Sequence, residues 1–400
     1  MNKLKTFLML SLAVLVSNIM IRDASAAEPA FSIAWSEYPS WSVFGVATVI
    51  KVNGEPLVDG RQGVQGSIEK KWGVDIVLKE ADYDSCITMY GAGQCDAACL
   101  TNMDSLNPAL GRKSVAIMPT STSFKADALL VTPAIQKLSD LRGKKVYMLA
   151  KSVSEYFFTR LLEVNKENER DFKVANMDPG AAALAMQQRN PEFDAIVVWN
   201  PFVLSTLDSR KDVRRLGDSE VIPGEITDMV TMAQDSLDRP GGRQAACAIA
   251  DAYYTVCKYL ADPKTQDDTL IALGEKFTKP EPDGTRGKMN AKQMELCCRQ
   301  SRFYATPEQG IHLFTGGNVF PWSREVKDTS SLFTNAGFKP GGKDITAKTH
   351  KEIMAVVMDF CLAKEIIPKK PTIGYGTRQE VPDARLRFDP SYMKEVAGKK

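Results

Sequence analysis

Short apolar runs alternate with amphipathic stretches through the first half of the chain. That pattern predicts an α/β fold built on mainly parallel strands. Phe31–Trp35, Val74–Leu78, Asp96–Leu100, Ser114–Met118, Ala126–Val131, Val146–Ala150 and Asp194–Trp199 read as strands, and Ala181–Gln188 as a helix. Beyond residue 240 the period changes. Arg243–Leu260 reads as a long helix, with Ala246, Ile249, Ala250, Tyr253 and Cys257 recurring at helical spacing. Residues 264–275, 289–302 and 348–363 also favour helix. Pro280–Gly287 and Pro340–Lys343 are Pro/Gly-rich loops, and Pro368–Pro390 reads as a tail extended over the surface. Val52–Gly66, with Gly54, Gly60, Gly63 and Gly66, reads as a loop insertion ahead of a helix near Ile68.

The N-terminus changes the picture of where this chain works. Lys3 and Lys5 precede an apolar stretch, Phe7–Met20, and Ala24-Ser25-Ala26 follows as a cleavage site. This is the pattern of a secretory signal peptide over residues 1–26, and it predicts export to the periplasm. The full chain holds 51 basic and 49 acidic residues. Removing residues 1–26, with Lys3, Lys5, Arg22 and Asp23, leaves the two in equal number. No long basic run exists, so nucleic-acid binding has no electrostatic footprint. The remaining length fits two lobes.

Export also permits disulfides, and the eight cysteines (86, 95, 99, 247, 257, 297, 298 and 361) are even in number. Cys95 and Cys99 have the look of half a metal site. No matching pair accompanies them, and the chain has only His312 and His350, so neither metal nor cofactor is expected.

Candidate chemistry gathers where polar and aromatic residues follow strands, the usual ligand position in open α/β sheets. Trp35, Tyr38 and Trp41 are interleaved with Ser36, Glu37 and Ser40. They either wall a cleft or pack in the core. Asn102 and Asp104, beside Thr101, either meet a ligand or cap a helix. A carboxylate at Asp104 facing that wall favours a cationic or N–H-rich ligand. Ser152 and Ser154 precede Glu155 with capping-box spacing, which caps a helix or offers its N–H groups to a ligand. Trp199 and Asn200 end another strand. No G-x-S-x-G, H-E-x-x-H or P-loop motif is present, and no catalytic residue is assigned.

An ordered set of segments carries a resemblance. It runs Ala34-Trp35-Ser36-Glu37-Tyr38-Pro39-Ser40-Trp41, then Gly93–Asp104 with Thr101-Asn102-Met103-Asp104, then Leu138–Val146. Phe193–Pro201 and Leu386–Tyr392 complete it. The chain resembles the periplasmic substrate-binding proteins of ABC importers for nitrate, sulfonates, taurine, urea-like compounds and thiamine-precursor pyrimidines. The first two segments look most like the urea-like or amine-type branch.

The resemblance implies a two-lobe periplasmic-binding-protein fold (type II-like), with hinge strands and extra C-terminal helices. One lobe would hold residues 27–129 and 226–400, the other 130–225. It implies a monomer that is not an enzyme, and a permease partner in the membrane. The expected ligand is a small nitrogen-containing solute, amine, urea-like or pyrimidine-like. Trp35, Tyr38, Trp41, Asn102 and Asp104 would grip it from one lobe, and Ser152, Ser154, Trp199 and Asn200 from the other. A sulfonate, taurine or nitrate held near Ser152 is the alternative ligand. An exported thiamine- or pyrimidine-related enzyme using a cysteine, or a ligand-presenting sensor subunit, are alternative roles.

Overall fold

Twelve strands form two separate sheets, and the chain passes between them twice. The computed structural model describes residues 28–280, 286–317, 332 and 348–398. The signal-peptide segment lies outside these residues, as do 281–285 and the Pro340–Lys343 loop. In order, the strands are β1 (Ala30–Trp35), a hairpin of β2 (Lys51–Val52) and β3 (Glu55–Pro56), β4 (Asp75–Glu80), β5 (Ala97–Thr101), β6 (Ser114–Thr122) and β7 (Asp127–Val131). Then come β8 (Lys145–Met148), β9 (Lys173–Asn176), β10 (Ala195–Trp199), β11 (Arg214–Asp218) and β12 (Thr227–Ala233). A second hairpin, β13 (Thr278–Pro280) with β14 (Arg286–Lys288), precedes β15 (Ile373–Tyr375) and β16 (Leu386–Phe388).

The larger sheet has the order β15-β16-β6-β12-β5-β1-β4, and the smaller β11-β7-β10-β8-β9. Each is parallel except for one strand. β12 runs antiparallel to β5 and β6, and β7 antiparallel to β10 and β11. These two reversed strands follow the two crossings. β6 leads through 123–126 into β7, and β11 leads through 219–226 into β12. The start of each reversed strand therefore lies beside the C-terminal ends of its parallel neighbours, on the edge where ligands bind.

All seven apolar runs form strands. β12, at the centre of the larger sheet, escapes the apolar-run signal because Thr227, Asp228 and Thr231 interrupt it, although every one of its residues is buried. The C-terminal tail differs from the expectation of a surface strap. Leu386 and Phe388 are fully buried, and β16 pairs with β6 in parallel register. The long helix spans Gly242–Ala261 and buries Ala246, Ile249, Ala250, Tyr253 and Cys257.

The cysteines correct the expectation of disulfides. All eight are free, buried thiols. They serve as small apolar side chains, as free cysteine commonly does in a core. Cys247 and Cys257, for example, lie on the buried face of the long helix.

The Val52–Gly66 insertion folds back onto its own flank. Glu69, on the helix Ser67–Trp72, is fully buried. Its carboxylate accepts backbone N–H bonds from Asp59 at 2.6 Å, Gly66 at 2.7 Å and Ile76 at 2.7 Å. One side chain thus ties the insertion to β4. Removing it strands three donors, so Glu69→Ala should cost at least about 2 kcal/mol in a urea-unfolding measurement. An unchanged unfolding midpoint would show that the insertion holds without this carboxylate.

Candidate functional site

Three buried carboxylates converge between the two sheets. Asp104 follows β5, Asp228 is the second residue of β12, and Asp127 is the first residue of β7. They are 7%, 2% and 3% exposed. Charges so far from water normally require a basic partner. Here the hydrogen-bond partners among the described residues are neutral. Asp104 accepts from the Tyr83 hydroxyl at 2.7 Å, the Thr101 hydroxyl at 2.8 Å and the backbone N–H of Val153. Asp228 accepts a short bond from Ser121, whose hydroxyl also contacts Ser40 at 2.8 Å. Asp127 is held by Ser123, which contacts Ser219 at 2.7 Å.

Burial pushes Asp104 up to about 6. Burial, with repulsion from Asp104, pushes Asp127 up to about 7. Asp228 is raised well above the ordinary carboxylate range by burial and by both other aspartates. Among the described residues, no group of three or more His, Cys, Asp or Glu is placed to hold a metal.

Aromatic rings complete the wall. Trp41 stacks on Tyr83 with centroids 5.2 Å apart, and Tyr38 tilts against Trp41 at 4.9 Å. Trp199, from the smaller sheet, meets Tyr83 edge-on at 5.7 Å. With Thr101, Asp127, Val153, Ile226 and Asp228, these rings enclose a void of about 10 Å³, room for about one water. The indole N–H of Trp41 has no partner among the described residues. Tyr83 and Trp199 also face a wider cleft of about 650 Å³ between the lobes. Ser36, Glu37, Asp82 and Asp84 line one side of that cleft. Leu149, Asn176, Asp178, Leu184 and Phe202 line the other, and no Lys or Arg among the described residues lines it.

The residues singled out from sequence have different fates. Tyr38, Trp41 and Trp199 line the small void. Asp104 lies behind Tyr83 and reaches across to the helix Val153–Val164. Trp35 lines neither cavity, and its ring packs over Gly45 beside Lys276. Asn102 ties the second crossing: its Nδ2 donates to the Glu225 carbonyl at 3.0 Å, and its Oδ1 accepts from Thr227 N–H at 3.3 Å. Ser152 caps the helix Val153–Val164 by accepting from Ser154 N–H at 3.2 Å. The Ser154 hydroxyl is buried without a partner among the described residues. Asn200 donates to Gln300 at 2.8 Å. The insertion residues 52–66 line neither cavity.

Sequence reasoning missed Tyr83, Asp127 and Asp228. The two aspartates did leave a trace, since each is a lone carboxylate at the head of an apolar strand. Nothing in the sequence placed the two heads together.

The fold is that of two-lobe periplasmic substrate-binding proteins. The alkanesulfonate-binding protein SsuA from Xanthomonas axonopodis pv. citri, bound to MOPS, superposes with TM-score 0.57 at 16% identity, over 86% of this chain and 96% of that one. A putative periplasmic sulfonate-binding SsuA from Methylobacillus flagellatus KT gives 0.55 at 14%, over 93% and 95%. The ligand-binding component of an ABC-type import system from Staphylococcus aureus, with zinc bound, gives 0.56 at 12%, over 92% and 99%. No protein-family model and no curated protein matches the chain.

The raised carboxylates fix a sign. A buried acid that holds its proton more tightly when folded stabilises the fold below its folded pKa, and that stability is lost as pH rises through it. For Asp127 the loss falls between about pH 4 and pH 7. Asp127→Asn should therefore raise the stability of the closed arrangement at pH 8 by up to about 4 kcal/mol, and that of the ligand-free protein by less wherever the lobes part, while leaving both nearly unchanged at pH 4. Denaturant titrations at the two values check this. Equal effects at both would mean that Asp127 is not buried as a charge.

Proposed function

We propose that this protein is an exported solute-binding protein that captures a compact organic cation with N–H donors between its lobes and passes it to an ABC permease. One observation carries the reading. Three carboxylates are buried behind an aromatic wall, and their hydrogen-bond partners are neutral. A cation supplies the missing charge, its N–H groups suit carboxylate acceptors, and its face suits the Trp41 and Tyr83 rings. An amine or a charged urea-like molecule has this chemistry. The wider cleft, with acidic residues and no basic one on its walls among the described residues, would draw cations inward.

Transport is supported by the fold shared with the ligand-binding component of an ABC-type import system. Export is supported by the signal-peptide pattern at residues 1–26, and no described helix is long and apolar enough to cross a membrane. The sulfonate alternative takes support from the two SsuA structures. Against it, an anion beside Asp127 and Asp228 would meet like charge in a buried site. A cysteine-based enzyme is disfavoured by the thiols themselves. Burial holds Cys99, Cys257 and Cys298 well above the range where a thiolate forms readily. His350 packs among Phe314, Tyr375 and Phe388, away from the void.

A thermal-shift screen of the mature protein at pH 8 tests the reading. The panel is ammonium, methylammonium, guanidinium, choline, taurine and methanesulfonate. A compact cation at about a hundred times its dissociation constant should add about 2.7 kcal/mol and raise the melting temperature by several degrees. Trp41→Ala should weaken that cation at least about tenfold by calorimetry. A shift with sulfonates and none with cations would overturn the assignment.

A further inference from the structure

The three carboxylates do not belong to one lobe. Asp104 and Asp228 stand at the edge of the larger sheet, and Asp127 opens a strand of the smaller. The lobes meet over them. Asp104 accepts a backbone N–H from Val153 of the opposite lobe, and Trp199 of that lobe closes against Tyr83. Parting the lobes would return the carboxylates to water, and closing them removes it. Closure around an empty or neutral interior therefore buries charge without compensation, one of the costliest things a fold can do.

Hydroxyl and N–H donors, Tyr38 toward Asp228 among them, relieve the trio in part, and the other titratable groups that act on it do not. Asp84 adds repulsion to Asp104, and Cys361 faces the same carboxylate. Tyr38 faces both Asp127 and Asp228. Cys99, Tyr253 and Tyr304 face Asp228. All of these are acids or weak acids. Among the described residues, two arginines on the adjoining elements are committed elsewhere. Arg160 pairs with Glu225 at 2.8 Å, and Arg215 bonds Gln300 at 3.0 Å and Asp218 at 3.2 Å.

We propose that lobe closure is conditional on positive charge, with Asp127 as the specificity-determining residue: the lobes close over a cation or over protons and stay apart around a neutral molecule of the same shape. This deepens the proposed function and rests on it for the identity of the occupant. Charge selectivity then comes from closure rather than from contact alone. A neutral ligand could touch the same rings and still fail to shut the cleft.

Guanidinium and urea are near-isosteric and differ in charge, so they separate the two effects. Small-angle scattering reads closure as a fall in radius of gyration, and calorimetry reads affinity. At pH 8 the empty protein should be open, guanidinium or methylammonium should close it, and urea at equal concentration should not. At pH 5 the empty protein should close without ligand. Asp127→Asn should close more readily when empty at pH 8. It should also cut the preference for the cation over urea at least about tenfold.

Closure around urea equal to that around the cation would overturn the proposal, as would an unchanged preference in Asp127→Asn. If no cation binds at all, the functional reading fails. The pH dependence of closure in the empty protein then still decides this one, and closure independent of pH would overturn it. Asp228→Asn is the second variant, read the same way should Asp127→Asn fail to fold.

Discussion

Burying three carboxylates with no basic side chain among the described residues to meet them is the constraint around which this molecule is arranged. An isolated charge in a low-dielectric interior is tolerated when it is neutralised or densely hydrogen-bonded. The protein supplies the second remedy in part. Tyr83, Thr101 and Val153 satisfy Asp104, Ser123 holds Asp127, and Ser121 and Tyr38 act on Asp228. The remaining deficit is one that a cation between the lobes would cancel. On the proposed reading, the cost is held in the empty protein and relieved on capture, which couples affinity to movement.

The topology explains how such a trio can be assembled at all. A parallel sheet sends its strand ends to one edge, and one reversed strand in each sheet brings its beginning to that same edge. Asp228 and Asp127 are the first or second residues of those reversed strands, immediately past the crossings. The crossings are themselves tied down. Asn102 holds the backbone at Glu225 and Thr227, and the Glu225 carboxylate accepts from Tyr156 at 2.7 Å and from Arg160. The segment that carries the hinge thus also sets the position of Ile226 and Asp228 in the wall of the void. On the proposed reading, movement at this crossing and the geometry of the site are not separable.

The SsuA structures share the architecture and differ from this chain in most residues. That is expected of a fold whose core tolerates broad hydrophobic substitution while its function lies in side chains on the strand ends. A scaffold common to sulfonate binders carries no obligation to bind an anion. On the proposed reading the side chains at the strand ends decide, and here acidic residues stand on both sides of the cleft.

The sequence by itself determined the alternation of strands and helices, the long helix read at 243–260, and the aromatic segment that supplies Tyr38 and Trp41. These follow from local periodicity and from residue type next to strand ends, which need no knowledge of distant contacts. It could not separate Trp35 from its neighbours, since only packing over Gly45 turns that ring away. It also could not rank Asp104 against Asp127 and Asp228. The last two lie 101 residues apart, and each alone reads as an isolated polar interruption in a strand. Tertiary structure decided that they meet, because the two crossings bring both strand heads to one edge. It decided too that the eight cysteines are free thiols, buried as apolar filling. Local patterning fixes which elements form; which charges end up sharing one dry space depends on long-range register and on the order of strands in the sheets.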